Sequence, residues 1–326
     1  MKQHYIPRCY LKRFSREDKS IFAYDKQTSR EYDTSLMSVC FEKDIYSISE
    51  DYVAQNNNEH KTQINRLSIE KDFFAKIIEP NFSQLLQELD SIKNEWIEGT
   101  DNYKLNFYEK RELALHLVTQ YFRLPQLKES TINDYIRMEQ ANADMLKHFL
   151  AMQTGHKSFY DLQMQISCEA PVLHANLTYL NNELLMEFAD IIASNYWVFR
   201  VSLNGDFYTS DFPLVVEPHI PHARPTYMGL AQYGGELTYP LSPFIVLSVY
   251  DKNYFKNKGN LDCNFIIADD KEIRRQNMLR YFYASRHIFS YDKDFSFRKI
   301  IYRIWFNWNI CVWIVIKWNK NHLNIR

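Results

Sequence analysis

Glycine is scarce in this chain, with seven in 326 residues, and no GxGxxG, GxxxxGK[ST] or GxSxG segment occurs. A backbone that cradles a pyrophosphate, or turns sharply under a nucleophile, needs glycine at fixed places. Dinucleotide, P-loop and nucleophile-elbow chemistry therefore have no support. The five cysteines, Cys9, Cys40, Cys168, Cys263 and Cys311, stand singly and far apart. An odd, dispersed set reads as reduced thiols, not as a disulfide frame or a zinc knuckle. The longest apolar run is Ile310–Ile316, far short of the roughly twenty residues that a bilayer span needs. The N-terminus lacks the apolar centre of a signal peptide. The expectation is a cytoplasmic protein with no membrane span.

Aromatics are plentiful instead. There are 23 Tyr and 22 Phe, and hydrophobic residues make up 46% of the chain, enough to build a full core. The net charge is −1, but residues 1–30 carry +5 and residues 271–326 carry +9, which leaves −15 on the middle. Two basic ends around an acidic middle point to an anionic partner, nucleic acid or nucleotide, or to pairing of the ends with the acidic surface.

Alternating apolar and polar residues predict a hairpin from Ile21–Tyr24 and Glu31–Ser35, with Asp25–Gln27 as its turn. Phe41–Ile48 reads as a further strand or loop edge. The Asn-rich stretch from Asp51 reads as an exposed linker. From about Thr62 the period is helical. Ile64, Leu67, Phe74, Ile77 and Ile78 share one face up to Pro80, and Leu85, Leu86, Leu89, Ile92 and Trp96 share the next. Further helices are predicted over Tyr108–Arg123, Gln126–Met152 and Asn176–Ser194. Trp197, Phe199 and Val201 mark a strand, and Asn204-Gly205 predicts a two-residue turn returning through Asp206–Ser210. A loop (Glu217–Gly235), a strand (Phe244–Tyr250), a helix (Lys271–Tyr283) and a Trp-rich tail follow.

The fold class expected is α+β, as one domain over 1–326. Its sheet is built from N-terminal strands (1–50) and C-terminal strands and helix (196–300). A large central helical block (60–195) packs on it, and a divergent tail (301–326) follows. Such a fold ties down the N-terminus and sets the two basic ends side by side.

Four segments occur in order: HYIPRCYLKRF at the start, QYFRLP with Gln120, Arg123 and Pro125, then TSDFPLV, then YPLSPFIVLSV. Together they resemble domain-of-unknown-function family 4238, a mostly bacterial family, over residues 2 to 290. The tail departs from the pattern. The resemblance implies no particular reaction.

His4 sits among aromatic and aliphatic neighbours, with Pro7 biasing the chain before it to an extended path. It reads either as a proton donor or acceptor in a cleft or as a core histidine bonded to backbone. Asp211 could hold a metal or orient a histidine, or form a turn before Pro213. Ser242 lies between two prolines with no adjacent base and reads as structural. Glu112, His116, Gln120 and Arg123 share a helix face. A buried Arg123 could fork onto phosphate or carboxylate. Arg111 and His116 also give R-x4-H, a spacing found in HEPN-type ribonucleases and short enough to arise by chance. Glu217, His219 and His222 carry zinc-ligand chemistry, but a proline-bearing surface loop is the better reading. Arg274, Arg275 and Arg280 alternate with Tyr281, Phe282 and Tyr283, which suits stacking on bases, or a helix laid on a sheet.

Two functions stay open. One is a nucleic-acid or nucleotide hydrolase in a bacterial toxin or phage-defence setting. Its catalytic residues would be His4, Asp211 and Arg123, with Tyr5, Arg8, Gln120, Arg274, Arg275 and Arg280 binding substrate and a divalent metal as an open requirement. The other is a non-catalytic scaffold that binds nucleic acid or a partner protein through the basic ends.

Overall fold

The computed structural model describes residues 1–16, 19–60, 63–100, 103–221, 229–292 and 295. Strand β1 (Lys2–His4) leads into α1 (Arg8–Leu11), the short β2 (Ser15–Arg16) and the hairpin of β3 (Ser20–Asp25) with β4 (Arg30–Ser35). Strand β5 (Phe41–Lys43) returns to pair with β1, His4 lying opposite Phe41.

The stretch expected as a linker is a helix, α2 (Glu50–His60). The Ser49 hydroxyl accepts the Tyr52 N–H at 3.3 Å, and Glu50 and Asp51 suit the positive end of the helix. None of its residues is buried, so no apolar period betrays it. Ile69–Ile78 is wound as a π-helix and runs into α3 (Glu79–Glu98). Pro80, expected as a stop, lies instead in the first turn of α3, where a missing N–H does no harm.

Helix α4 (Phe107–Phe122) begins at a reciprocal cap between Asn106 and Glu109. Helix α5 (Pro125–Thr154) ends at Gly155, whose φ of 72° falls in the left-handed region. The single helix expected over Asn176–Ser194 is two, α6 (Ala170–Leu177) and α7 (Asn182–Ala193). The Asn181 side chain accepts the Leu184 N–H at 3.0 Å and starts the second.

The central sheet has the order β11-β6-β10-β9-β8, from β6 (Tyr196–Val201), β8 (Val215–Pro218), β9 (Gly235–Ser242), β10 (Ile245–Tyr250) and β11 (Asn264–Ile267). Among the described residues, only β11 and β6 run parallel. The hairpin expected at Asn204-Gly205 does not form. Gly205 does turn the chain, at φ 77°, but β10 and β11 already occupy both edges of β6. The returning residues cross to another sheet as β7 (Thr209–Ser210), which pairs with β12 (His287–Ser290) after α8 (Asp270–Tyr283). Strand β12 in turn pairs with β3, so strands from both ends of the chain share one sheet.

One face of the central sheet, with Trp197, Phe199, Leu237, Tyr239, Leu247 and Val249, packs against the helical block. Ile6, Tyr10, Leu11 and Phe14 belong to the same core. The Tyr10 hydroxyl donates to the Pro240 carbonyl at 2.8 Å and meets the Thr209 hydroxyl at 2.6 Å. The opening segment is therefore anchored on strands 199 and 230 positions away. The tail 301–326 and His222 lie outside the described residues.

Candidate functional site

Arg123 closes α4, and its side chain turns inward with 1% exposure. Nη2 donates to the His4 carbonyl at 2.7 Å and to Glu79 Oε1 at 3.2 Å. The guanidinium lies over the Phe74 ring, 3.9 Å from its centroid, a desolvated cation–π contact. One turn earlier, Gln120 Nε2 donates to the Tyr5 carbonyl at 3.0 Å. The Tyr46 hydroxyl donates to the Arg123 carbonyl at 3.3 Å. The QYFR and HY segments thus grip one another, side chain to backbone.

Glu70 and Phe74 reach this centre from the π-helix, and Glu79 from the turn that follows it. Long π-winding is rare, and where it occurs it often marks function. Several buried polar atoms here have no partner: Glu70 Oε2, Arg123 Nε and Nη1, Gln3 Nε2 and the Tyr179 hydroxyl. Such groups are uncommon in folded proteins, because each forfeits its hydration. Burial pushes the Glu70 carboxyl up; Arg123 opposes that and Glu79 adds to it. The raised carboxyl feels the charge of a guanidinium that has donors to spare.

The His4 ring points elsewhere, its Nε2 lying 3.2 Å from the Leu36 carbonyl. A carbonyl only accepts, so Nε2 carries the proton. Burial pushes its pKa down, and the Leu36 carbonyl only partly offsets this. Replacing His4 by Gln is expected to reduce stability by about 1 kcal/mol, since an amide can still donate to Leu36. A thermal melt checks this, and a loss several times larger would show that ring packing matters more than the bond. Arg8, exposed at the rim, donates to the Met37 sulfur at 2.8 Å. Burial raises the Tyr5 hydroxyl far above its ordinary range.

Asp211 is held separately. Its carboxylate accepts the N–H groups of Ser285 and Arg286 at 2.8 Å and of His287 at 2.9 Å, stapling the turn from α8 to β12. Burial lifts its pKa despite these three donors. The charges that bear on His4 are Arg8, Glu79 and Arg123. The structure therefore gathers His4, Tyr5, Gln120 and Arg123, with Arg8 at the rim; the Asp211 carboxylate is bonded to the turn before β12, and its charge still bears on the Tyr5 hydroxyl.

Of the α8 arginines, Arg274 is exposed, while the other two are engaged within the protein. Glu217 stands directly opposite Glu236 on neighbouring strands, a repulsive pairing if left alone. Arg275 donates to both and, at 3.2 Å, to Glu272. His219 Nε2 lies 2.9 Å from Glu236 Oε2. Burial alone would raise the Glu236 carboxyl, but His219 and Arg275 hold it down at about 2. Arg280 is wholly buried and donates to the carbonyls of Pro213 and Thr238 and to the Thr238 hydroxyl. Burial pushes its guanidinium down to about 10.

Among the described residues, Glu217, His219 and Glu236 could offer a metal three ligand atoms, all within 4.8 Å of one another. Arg275 already stands between the two carboxylates, so a divalent ion would have to displace it. The set fits a guanidinium better than a metal. Arg111 and His116 do not meet in one site either. Arg111 Nε lies 2.6 Å from Asp190, and His116 stacks on Phe82 at 5.2 Å.

Residues 2–294 match the family described as Protein of unknown function (DUF4238). The chain belongs to that family. Comparison with curated proteins and with solved structures gives no match. Within this DUF4238 chain, two of the motifs that carry the resemblance, HYIP and QYFRLP, touch one another, and TSDFP holds the turn before β12. Among the described residues no helix is long and apolar enough to cross a membrane. Glu70, Glu79, Tyr46 and Glu236 escape the sequence reading. Glu236, the one acid within β9, is the one whose sequence carries a signal, a lone charge in an otherwise uncharged strand.

Proposed function

We propose that this DUF4238 protein hydrolyses a phosphate-bearing substrate, a nucleotide or a nucleic-acid end, at the Arg123–Glu70 centre. The observation that carries the reading is a fully buried guanidinium with unfilled donors and a half-buried carboxyl, one oxygen of it buried and unfilled, that feels the Arg123 charge. Arg123 would hold the phosphate and offset charge gathering on it. Glu70, with its carboxyl raised by burial, would take a proton from water as water attacks phosphorus, then return it to the departing oxygen. His4 acts through its carbonyl, which fixes Arg123, and Asp211 supports the adjoining sheet.

The test incubates the purified chain with nucleotides and 5′-phosphorylated oligonucleotides, with and without Mg²⁺ or Mn²⁺, and follows phosphate release. Glu70→Gln keeps shape but cannot titrate. It is expected to slow turnover by about 100-fold or more while leaving the melting temperature in place. No release from any substrate, or full activity in Glu70→Gln, overturns the reading. A non-catalytic binding role is favoured by one observation: the His4 ring and the Asp211 carboxylate are already bonded within the protein. It predicts nucleotide binding without turnover in the same assay.

A further inference from the structure

We propose that the C-terminal half of α5 pairs antiparallel with the same half of a second copy of this chain. Helix α5 has 30 residues, yet only Ala143 and Ala151 are buried. Its inward face, with Ala143, Lys147, Leu150 and Ala151, meets the short helix Lys157–Asp161 and the chain around it. The opposite face carries Met138, Met145, Phe149 and Met152, exposed by 53%, 71%, 56% and 71%. Asn142 completes a stripe with steps of four, three, four and three. That is the spacing of a two-helix seam. Leu146 flanks it, 46% exposed.

The area suits a second copy. These five apolar side chains offer on the order of 500 Å², at the upper end of what a monomer leaves bare. Two such faces would bury about 1,000 Å², the threshold for a specific interface. The charges agree. Asp, Glu, Lys and Arg are absent from the seam itself, while Asp144, on the flank, pairs at 3.1 Å with Lys147 of the inward face. Two copies can therefore meet without burying an unpaired charge. In the antiparallel register that sets Asn142 of one copy against Met152 of the other, Met145 faces Phe149, a favourable sulfur–aromatic contact. Asn142 sits at a seam position, where a polar residue fixes register.

Sedimentation of the full chain from about 1 to about 100 µM should show a monomer–dimer equilibrium. The Met145→Glu/Phe149→Glu double variant should be monomeric throughout, with an unchanged melting temperature. A parent that stays monomeric at the highest concentration overturns the proposal. So does a dimer that survives in the double variant, since the interface then lies elsewhere. Should that variant fail to fold, crosslinking decides. In a Cys168→Ser background, Met145→Cys chains mixed with Phe149→Cys chains should give an interchain disulfide in higher yield than either alone. Equal yields overturn the antiparallel pairing.

Discussion

An Arg275→Ala chain is expected to unfold with about 3–5 kcal/mol less free energy than the parent at neutral pH. Arg275 is the cation that lets Glu217 and Glu236 stand opposite one another. Without it Glu236, almost wholly buried, keeps His219 at 2.9 Å and the Tyr250 hydroxyl but loses its guanidinium. Denaturant titration measures the loss. Its pH dependence is a second check. In the parent, the Glu236 carboxyl is held near 2, below its usual 4.5. Its stabilisation is therefore present above about pH 4.5 and lost only as pH falls through about 2. In the variant, burial dominates and acidification relieves the stranded charge. The gap between the two proteins should narrow as pH falls from 7 to about 4. A variant within about 1 kcal/mol of the parent at pH 7 would mean that water already screens the pair.

The parent itself should weaken markedly in mild acid. Burial pushes His116 and His174 down to about 4. Neither ring nitrogen of His174 has a partner, nor has Nδ1 of His116. A base whose folded pKa is lowered takes up its proton first in the unfolded chain. The stability associated with it is complete above about 6.5 and declines as pH falls toward about 4. Each histidine should remove roughly 2 kcal/mol between pH 7 and pH 5. Melting temperatures across that range give the test. The double variant His116→Phe/His174→Phe keeps ring packing, including the stack on Phe82, and should flatten the profile. A parent whose melting temperature holds constant from pH 7 to pH 5 would sink the idea.

Local chemistry explains what could be read in advance. The β3–β4 hairpin shows because its residues alternate, and α5 shows because Pro125 and Gly155 bracket it. The motifs could be placed in the correct family for the same reason, since each is a short local signal. Pairings decided far away could not be read. Nothing local to Asn204-Gly205 reveals that β10 and β11 hold both edges of β6. Helix α2 hides because it buries nothing. At the candidate site, Gln120 and Arg123 were legible as a helix-end pair. Their acidic companions were not, because Glu70 and Glu79 reach Arg123 only through winding that departs from the usual helical period. The basic character of α8 was plain, but its counter-charges lie on strands some forty to sixty positions earlier.

That winding also makes the segment a length gauge. A π-helix accommodates an extra residue in each hydrogen-bonded turn, the typical trace of an insertion into an ordinary helix. Deleting one residue between Ile69 and Ile78 would let the run rewind toward α geometry without breaking it. The deletion would swing everything before it by about 100° relative to α3. Glu70 would leave Arg123, while Glu79, on the far side of the cut, would stay. Two acids nine positions apart are in this sense addressed separately, one by side-chain identity and one by the count of residues between them.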